Sequence, residues 1–108
     1  MTEIKRNTRE VGNVKIETYS KEIVSACMLG VEVGTNGYQG GDTGHGSRTY
    51  ISFTNEGCTD MNVHVGYEYD TPNKVTLTFG GDCELMNIIL ALKFAINVLE
   101  DQIKGDIN

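Results

Sequence analysis

The apolar residues of this chain change their period once, and that change constrains the fold more than any other feature. Through residues 14–79 they recur at every second position, and after Gly80-Gly81-Asp82 they recur at helical spacing. Period two sends alternate side chains to opposite faces of a strand, whereas spacings of three and four line one face of a helix. One switch in a chain of 108 residues predicts an α+β fold. It has a mainly antiparallel sheet of about five strands and one long C-terminal helix packed on one face.

The strands are expected at 14–19, 23–33, 48–54, 61–69 and 74–79. The segment 23–33 is apolar on both faces, as a central strand would be. Asn55-Glu56-Gly57 and Asp70-Thr71-Pro72-Asn73 read as turns. Residues 1–10 are polar and carry no periodic signal, so they are expected as a flexible leader to a single domain spanning 11–108. Arg48, Tyr50, Asn62, His64, Lys74, Thr76 and Thr78 define a sheet face expected to be wet. Asp82 is expected to N-cap the helix, and Lys104-Gly105 to end it.

The first half of that helix is unusual. Leu85, Met86, Ile88, Ile89, Leu90, Ala91 and Leu92 leave it apolar nearly all round, while Lys93, Asn97, Glu100, Asp101 and Lys104 form a polar stripe further on. One sheet face cannot bury that much apolar surface, and each Leu or Ile left in water forgoes roughly 1.5–3 kcal/mol. A homo-oligomer formed through the C-terminal helix is therefore expected.

Charge narrows the function classes. Nine Lys and Arg stand against fifteen Asp and Glu, a net charge of −6. That balance argues against long nucleic acid as a partner, because phosphate neutralisation needs clustered cations. No stretch approaches the ~18 consecutive apolar residues that span a membrane, and the first ten residues lack the apolar core of a secretory signal. The three cysteines, Cys27, Cys58 and Cys83, are odd in number and show no Cys-x-x-Cys. They read as free thiols, small buried hydrophobes in a reducing compartment.

Thirteen glycines against one proline would be puzzling if spread evenly, but six fall in residues 34–46. A plain connection between antiparallel strands needs about two to five residues. This one is longer, and Tyr38, Asp42, His45, Ser47 and Arg48 punctuate it. Glycines admit close backbone approach, and successive N–H groups can form an anion nest. Arg48 offers a planar fork for phosphate, Thr43 and Ser47 offer hydroxyls, and Tyr38 or Tyr50 offers a face for a base. Tyr38, Gly40, Gly41, Asp42, Thr43, Gly44, His45, Gly46, Ser47, Arg48 and Tyr50 are thus the candidate site for a small phosphorylated, nucleotide-derived ligand. The segment is not a Walker A loop, since no Lys stands in place and a strand follows. An internally braced Ω-type loop, with Asp42 paired to Arg48, is the structural alternative.

A catalytic alternative uses the same segment, with Ser47 as nucleophile, His45 as base and Asp42 orienting it. Asp42, His45 and Asp82 show no metal-ligand spacing, so neither a metal nor a cofactor is called for. Gly80-Gly81-Asp82 echoes Gly40-Gly41-Asp42. Its aspartate is read as satisfying the helix amides, which would repel a phosphate there. The run Tyr67-Glu68-Tyr69-Asp70 reads as an acidic, aromatic rim for protein contact.

The run Val31-Glu32-Val33-Gly34-Thr35-Asn36-Gly37, the run from Gly40-Gly41-Asp42-Thr43-Gly44-His45-Gly46 through Ser47-Arg48-Thr49, and the closing Gly80-Gly81-Asp82 before an apolar helix resemble small uncharacterised proteins of bacteriophages and prophages. The resemblance covers roughly residues 24–100 and carries no assigned catalytic residues. It implies a soluble protein of the host bacterial cytoplasm, of the size of phage accessory proteins that counter host defence. By analogy with oligomeric sponges, the expected function is to sequester a cyclic nucleotide or ADP-ribose-type immune signal without turnover. A protein-binding inhibitor or structural phage protein with no small ligand is the alternative, and a small hydrolase is a third.

Overall fold

The computed structural model describes residues 3–57, 59–66, 68–70 and 73–105. Seven strands precede one helix: β1 (Lys5–Val11), β2 (Val14–Val24), β3 (Met28–Thr35), β4 (Arg48–Gly57), β5 (Val63–Val65), β6 (Glu68–Asp70), β7 (Lys74–Gly80) and α1 (Asp82–Lys104). Five of the strands form one antiparallel sheet in the order β1-β2-β3-β4-β7, while β5 and β6 pair separately. The helix packs on the sheet through β7 and β4. The α+β architecture follows the period switch at Gly80-Gly81-Asp82.

Four local expectations are corrected. Lys5–Val11, of which all but Val11 was expected within the polar leader, pairs with β2 along its whole length. Its register is held by a two-residue hairpin in which Gly12 and Asn13 take φ of 54° and 67°, the left-handed pair whose twist suits a two-residue hairpin. The segment 23–33 is not one strand. It reverses at Ser25–Cys27, where the Ser25 amide donates to the Cys27 carbonyl at 3.0 Å. Asn55-Glu56-Gly57 continues β4 instead of turning, and a register shift opposite Met28 and Leu29 absorbs the irregularity. The fourth expected strand, 61–69, is the β5-β6 hairpin, reversing after Val65. The Asp70–Asn73 turn lies partly outside the described residues.

Register sorts the side chains onto two faces, and their burial departs from the expected pattern on β2, β3 and β4, while Lys74, Thr76 and Thr78 on β7 are exposed as expected. Ser20, Glu32, Ser52 and Thr76 stand opposite one another across four strands. On that polar face Thr18 and Ser52 are fully buried, and Glu32 and Tyr50 nearly so. The cover is the β1-β2 hairpin, which coils over the sheet until Val11, Val14 and Ile16 meet Tyr50. A Cβ at Gly34 would collide with the backbone of Glu17 and Thr18, so this close passage of β2 requires glycine. Arg9 enters the same layer. Its guanidinium donates twice to Glu32, at 2.6 and 2.7 Å, and Thr18 donates to the same carboxylate at 2.5 Å. The Arg9 charge also lies 5.5 Å from the centre of the Tyr50 ring, a cation–π distance. Part of the face expected to be wet thus holds a charged, hydrogen-bonded core around Tyr50, whereas Asn62, His64, Lys74, Thr76 and Thr78 are exposed as expected.

The apolar face is the open one. The row Tyr19, Val33, Ile51, Leu77 runs across four strands, yet only Ile51 is buried, and the other three are nearly half exposed. The helix covers little of it. Leu85 is its one buried residue among those described. The radius of gyration, 15.5 Å, exceeds the ~13 Å of a compact chain this long. No helix among the described residues is long and apolar enough to cross a membrane.

Candidate functional site

The glycine segment lies against the start of α1, and the two glycine-glycine-aspartate runs clasp each other there. The N-cap position is Gly81, with no side chain of its own to cap the helix. Asp82 is the first helical residue, and its carboxylate turns away from the helix. One oxygen accepts the Gly40 amide at 2.7 Å, the other accepts the Ser47 amide at 3.0 Å, and the Gln39 amide sits 3.1 Å from both. The helix is capped from the other run, where the Asp42 carboxylate accepts the Cys83 amide at 2.8 Å. The backbone closes the exchange. Asp82 donates to the Gly41 carbonyl and Gly44 to the Gly80 carbonyl, both at 2.8 Å. The expectation that Asp82 caps α1 is therefore corrected: each aspartate serves the other's segment.

Glu84 extends the clasp by one residue. Its two oxygens accept the Thr43 amide at 3.1 Å and the Thr43 hydroxyl at 2.9 Å. Ser47 is fully buried beneath it. Its hydroxyl donates to the Gly81 carbonyl, and its own carbonyl accepts the Gly81 amide, each at 2.8 Å. Gly81 takes φ 130° and ψ 154°, a region open in practice to glycine alone. A Cβ there would strike the Thr43 amide and the Glu84 carboxylate.

The electrostatics follow from this wiring. Partial desolvation acts to raise the Asp82 pKa, but the amides of Gly40, Gln39 and Ser47 outweigh it and hold it at about 2. A carboxylate that accepts several backbone N–H bonds favours its charged form. The Thr43 hydroxyl and amide likewise lower the pKa of Glu84. The charge of Asp42 raises the pKa of the Cys83 thiol, with desolvation and Glu84 adding to it. Cys83 is exposed and Cys27 partly so, which corrects the expectation that both are buried. Cys58 lies outside the described residues.

Arg48 is also spent internally. Its guanidinium donates to the carbonyls of Gly46 and Ser47, both at 3.1 Å, and of Gly44 at 2.9 Å. Its amide donates to the Asn36 side chain at 2.8 Å. The expected Asp42–Arg48 ion pair does not form; Asp42 caps α1 and Arg48 binds carbonyls. The braced-loop alternative holds in outline, with different partners.

The candidate residues divide accordingly. Gly40, Gly41, Asp42, Thr43, Gly44, Gly46, Ser47 and Arg48 are brought together as the clasp. Tyr38 and His45 border it and are exposed. Tyr50 is elsewhere, its ring in the core under Arg9, and offers no face to the loop. The Ser47, His45 and Asp42 arrangement of the hydrolase alternative is not assembled, because Ser47 is buried against Gly81 and Asp42 is bonded to Cys83. Among the described residues no three His, Cys, Asp or Glu side chains converge on a metal-sized site. The acidic rim at 67–70 lies outside the described side chains. A shallow depression of about 310 Å³ runs between Phe79 and the helix residues Glu84, Asn87, Ile88 and Ala91.

The residues missed in the sequence are Asp82, as the loop's acceptor, together with Glu84 and Asn36. The one signal for them was the echo of Gly40-Gly41-Asp42 in Gly80-Gly81-Asp82. No protein-family model matches the chain, and neither a curated protein nor a solved structure matches it.

Proposed function

We propose that this chain is a non-catalytic binding protein that acts through protein contact, with the clasped glycine loop as a rigid recognition surface. One observation carries this reading. The amides that would hold a phosphate are occupied by the protein's own carboxylates, Asp82 on Gln39, Gly40 and Ser47, and Glu84 on Thr43. Asp42 occupies the helix N-terminus, and Arg48 is committed to three carbonyls. A phosphate would have to displace carboxylates and enter a field of three negative charges. A protein partner needs none of those donors. It needs a surface already ordered, since ordering a loop on binding costs affinity. In the setting that the phage resemblance implies, such a partner would be a host protein.

A second reading keeps the sequestration of a nucleotide-derived signal. It is favoured by Tyr38, 58% exposed at the loop edge, and by open space above Gly37, Gly40 and Gly44. There a base could stack and a backbone could be approached closely.

Thermal-shift titration separates the two. With cyclic dinucleotides, cyclic ADP-ribose isomers and ADP-ribose, the first reading predicts no rise in Tm at 100 µM ligand (about 100 times a micromolar Kd would add ~2.7 kcal/mol). A rise of several degrees that disappears in Tyr38→Ala would overturn it in favour of the second.

A further inference from the structure

One set of apolar residues of α1 is spaced as a heptad. Leu85, Ile89, Leu92, Ile96, Leu99 and Ile103 follow one another at alternating steps of four and three. With Ile89, Ile96 and Ile103 at the a positions, Leu85, Leu92 and Leu99 fall at d. Isoleucine at a with leucine at d is the combination that favours two parallel strands. Leu85 is buried in the chain's own core, but the next five are open, and their exposure rises along the helix from 39% at Ile89 to 86% at Ile103. At 100° per residue, this seam is centred roughly a quarter-turn or more from Glu84, Asn87 and Ala91 and about 60° from Ile88, the helix residues that line the depression beside Phe79. The chain's own sheet therefore does not block it.

Surface area names the occupant. The chain exposes 7776 Å², whereas a compact monomer of 11.9 kDa exposes about 5,900 Å². The excess, roughly 1,800 Å² per chain, is the scale that a large obligate homodimer interface removes from each partner. The five buried apolar residues among those described, Val11, Ile16, Tyr50, Ile51 and Leu85, make a small core for 108 residues.

We propose that a second copy of this chain pairs with α1 in a parallel two-stranded coiled coil along Ile89, Leu92, Ile96, Leu99 and Ile103, bringing the two clasped loops to the same end. Charge selects the orientation. A symmetric antiparallel register that keeps the Ile–Leu layers sets the two Lys93 ammonium groups against each other. The parallel one lays Lys93 over Ile88 of the other helix, where its methylene stem is covered. Parallel pairing has a consequence for the site. Asp42 and Thr43 are bonded to the first turn of α1, and paired helix axes run about 8–10 Å apart. The two glycine loops then form one composite, two-fold surface. Antiparallel pairing would separate them by the length of the helix, about 35 Å. This proposal rests on α1 and is independent of what the loop binds.

Light scattering on the full chain is expected to give twice the 11.9 kDa chain mass; a monomer, a trimer or a tetramer would overturn the two-stranded pairing. Ile96→Glu is expected to shift the mass to that of one chain. Phe94→Glu, at a residue as exposed but on the opposite side of the helix, is expected to leave the dimer intact. Equal loss in both would mean non-specific apolar association and would also overturn the proposal. Orientation is read by Ile103→Cys in a chain whose native cysteines are replaced by serine. Mild oxidation should convert most of it to a covalent dimer, and a dimer that does not cross-link would exclude the parallel arrangement.

Discussion

Gly81→Ala is expected to destabilise the protein by about 3 kcal/mol, a fall of roughly 12 °C or more in Tm for a chain of this size. Two costs combine. The backbone at φ 130°, ψ 154° is strained for any residue with a Cβ, and that Cβ would meet the Thr43 amide and the Glu84 carboxylate. Neither can withdraw cheaply, because the two are bonded to each other. The control is Gly37→Ala. Gly37 also has a positive φ, 78°, but nothing lies within 4 Å of the added carbon, so about 1 kcal/mol is expected. Urea unfolding of both variants checks the difference. Equal effects would mean that the clasp does not constrain Gly81.

Arg9→Met should cost about 2 kcal/mol. Its methylene stem is kept, but Glu32, 7% exposed, loses both guanidinium bonds and retains Thr18 alone. Removing one partner of a fully buried pair costs ~3–5 kcal/mol. The value here is discounted because the Arg9 side chain is 39% exposed and solvent screens it. Adding Glu32→Gln to Arg9→Met is expected to recover part of the loss, since the orphaned charge is then gone. Arg9 lowers the pKa of Glu32 more than desolvation raises it, and Thr18 lowers it further. The linked stability is therefore present above the ordinary glutamate value of 4.5 and lost as pH falls below it. Arg9→Met should flatten the acid limb of a Tm-against-pH profile, and an unchanged limb would contradict this role.

The period switch at Gly80-Gly81-Asp82 was legible because strand and helix periods differ over many residues, and so was the helix end at Gly105. The N-terminal strand was not. Lys5–Val11 has polar residues on both faces, because one face meets solvent and the other meets the charged layer around Glu32, so no alternation marks it. Gly12-Asn13 was a turn signal that could have revealed it. The reversal at Ser25–Cys27 contains neither glycine nor proline, so it left no local trace. The polar face of β3 and β4 looked wet because burial there depends on β1 and β2 coiling back, a tertiary event that residue types at 48–54 do not encode.

The site shows the same division. Glycine content located the loop, and residue type identified Asp42 and Ser47 as chemically able. Partner choice was not legible, because an aspartate at the start of a helix caps that helix in most local contexts. Here the helix start lies against a second glycine-glycine-aspartate run, and the two aspartates exchange targets. The anion nest expected between Gly40 and Gly46 exists as geometry, and the anion in it is the chain's own.

The acid titration of the Asp82 side-chain carbonyl by NMR, on protein without any ligand, tests most directly whether the chain's own carboxylate fills the nest. A folded-state pKa held below the ordinary aspartate value of 3.8 means that the clasp contributes stability above that pH and loses it as pH falls through the folded value. A midpoint at about 2 is expected, with the amide signals of Gln39, Gly40 and Ser47 moving in the same transition. A midpoint near 3.8, with those three amides indifferent to it, would contradict the clasp and return the loop's donors to an external anion.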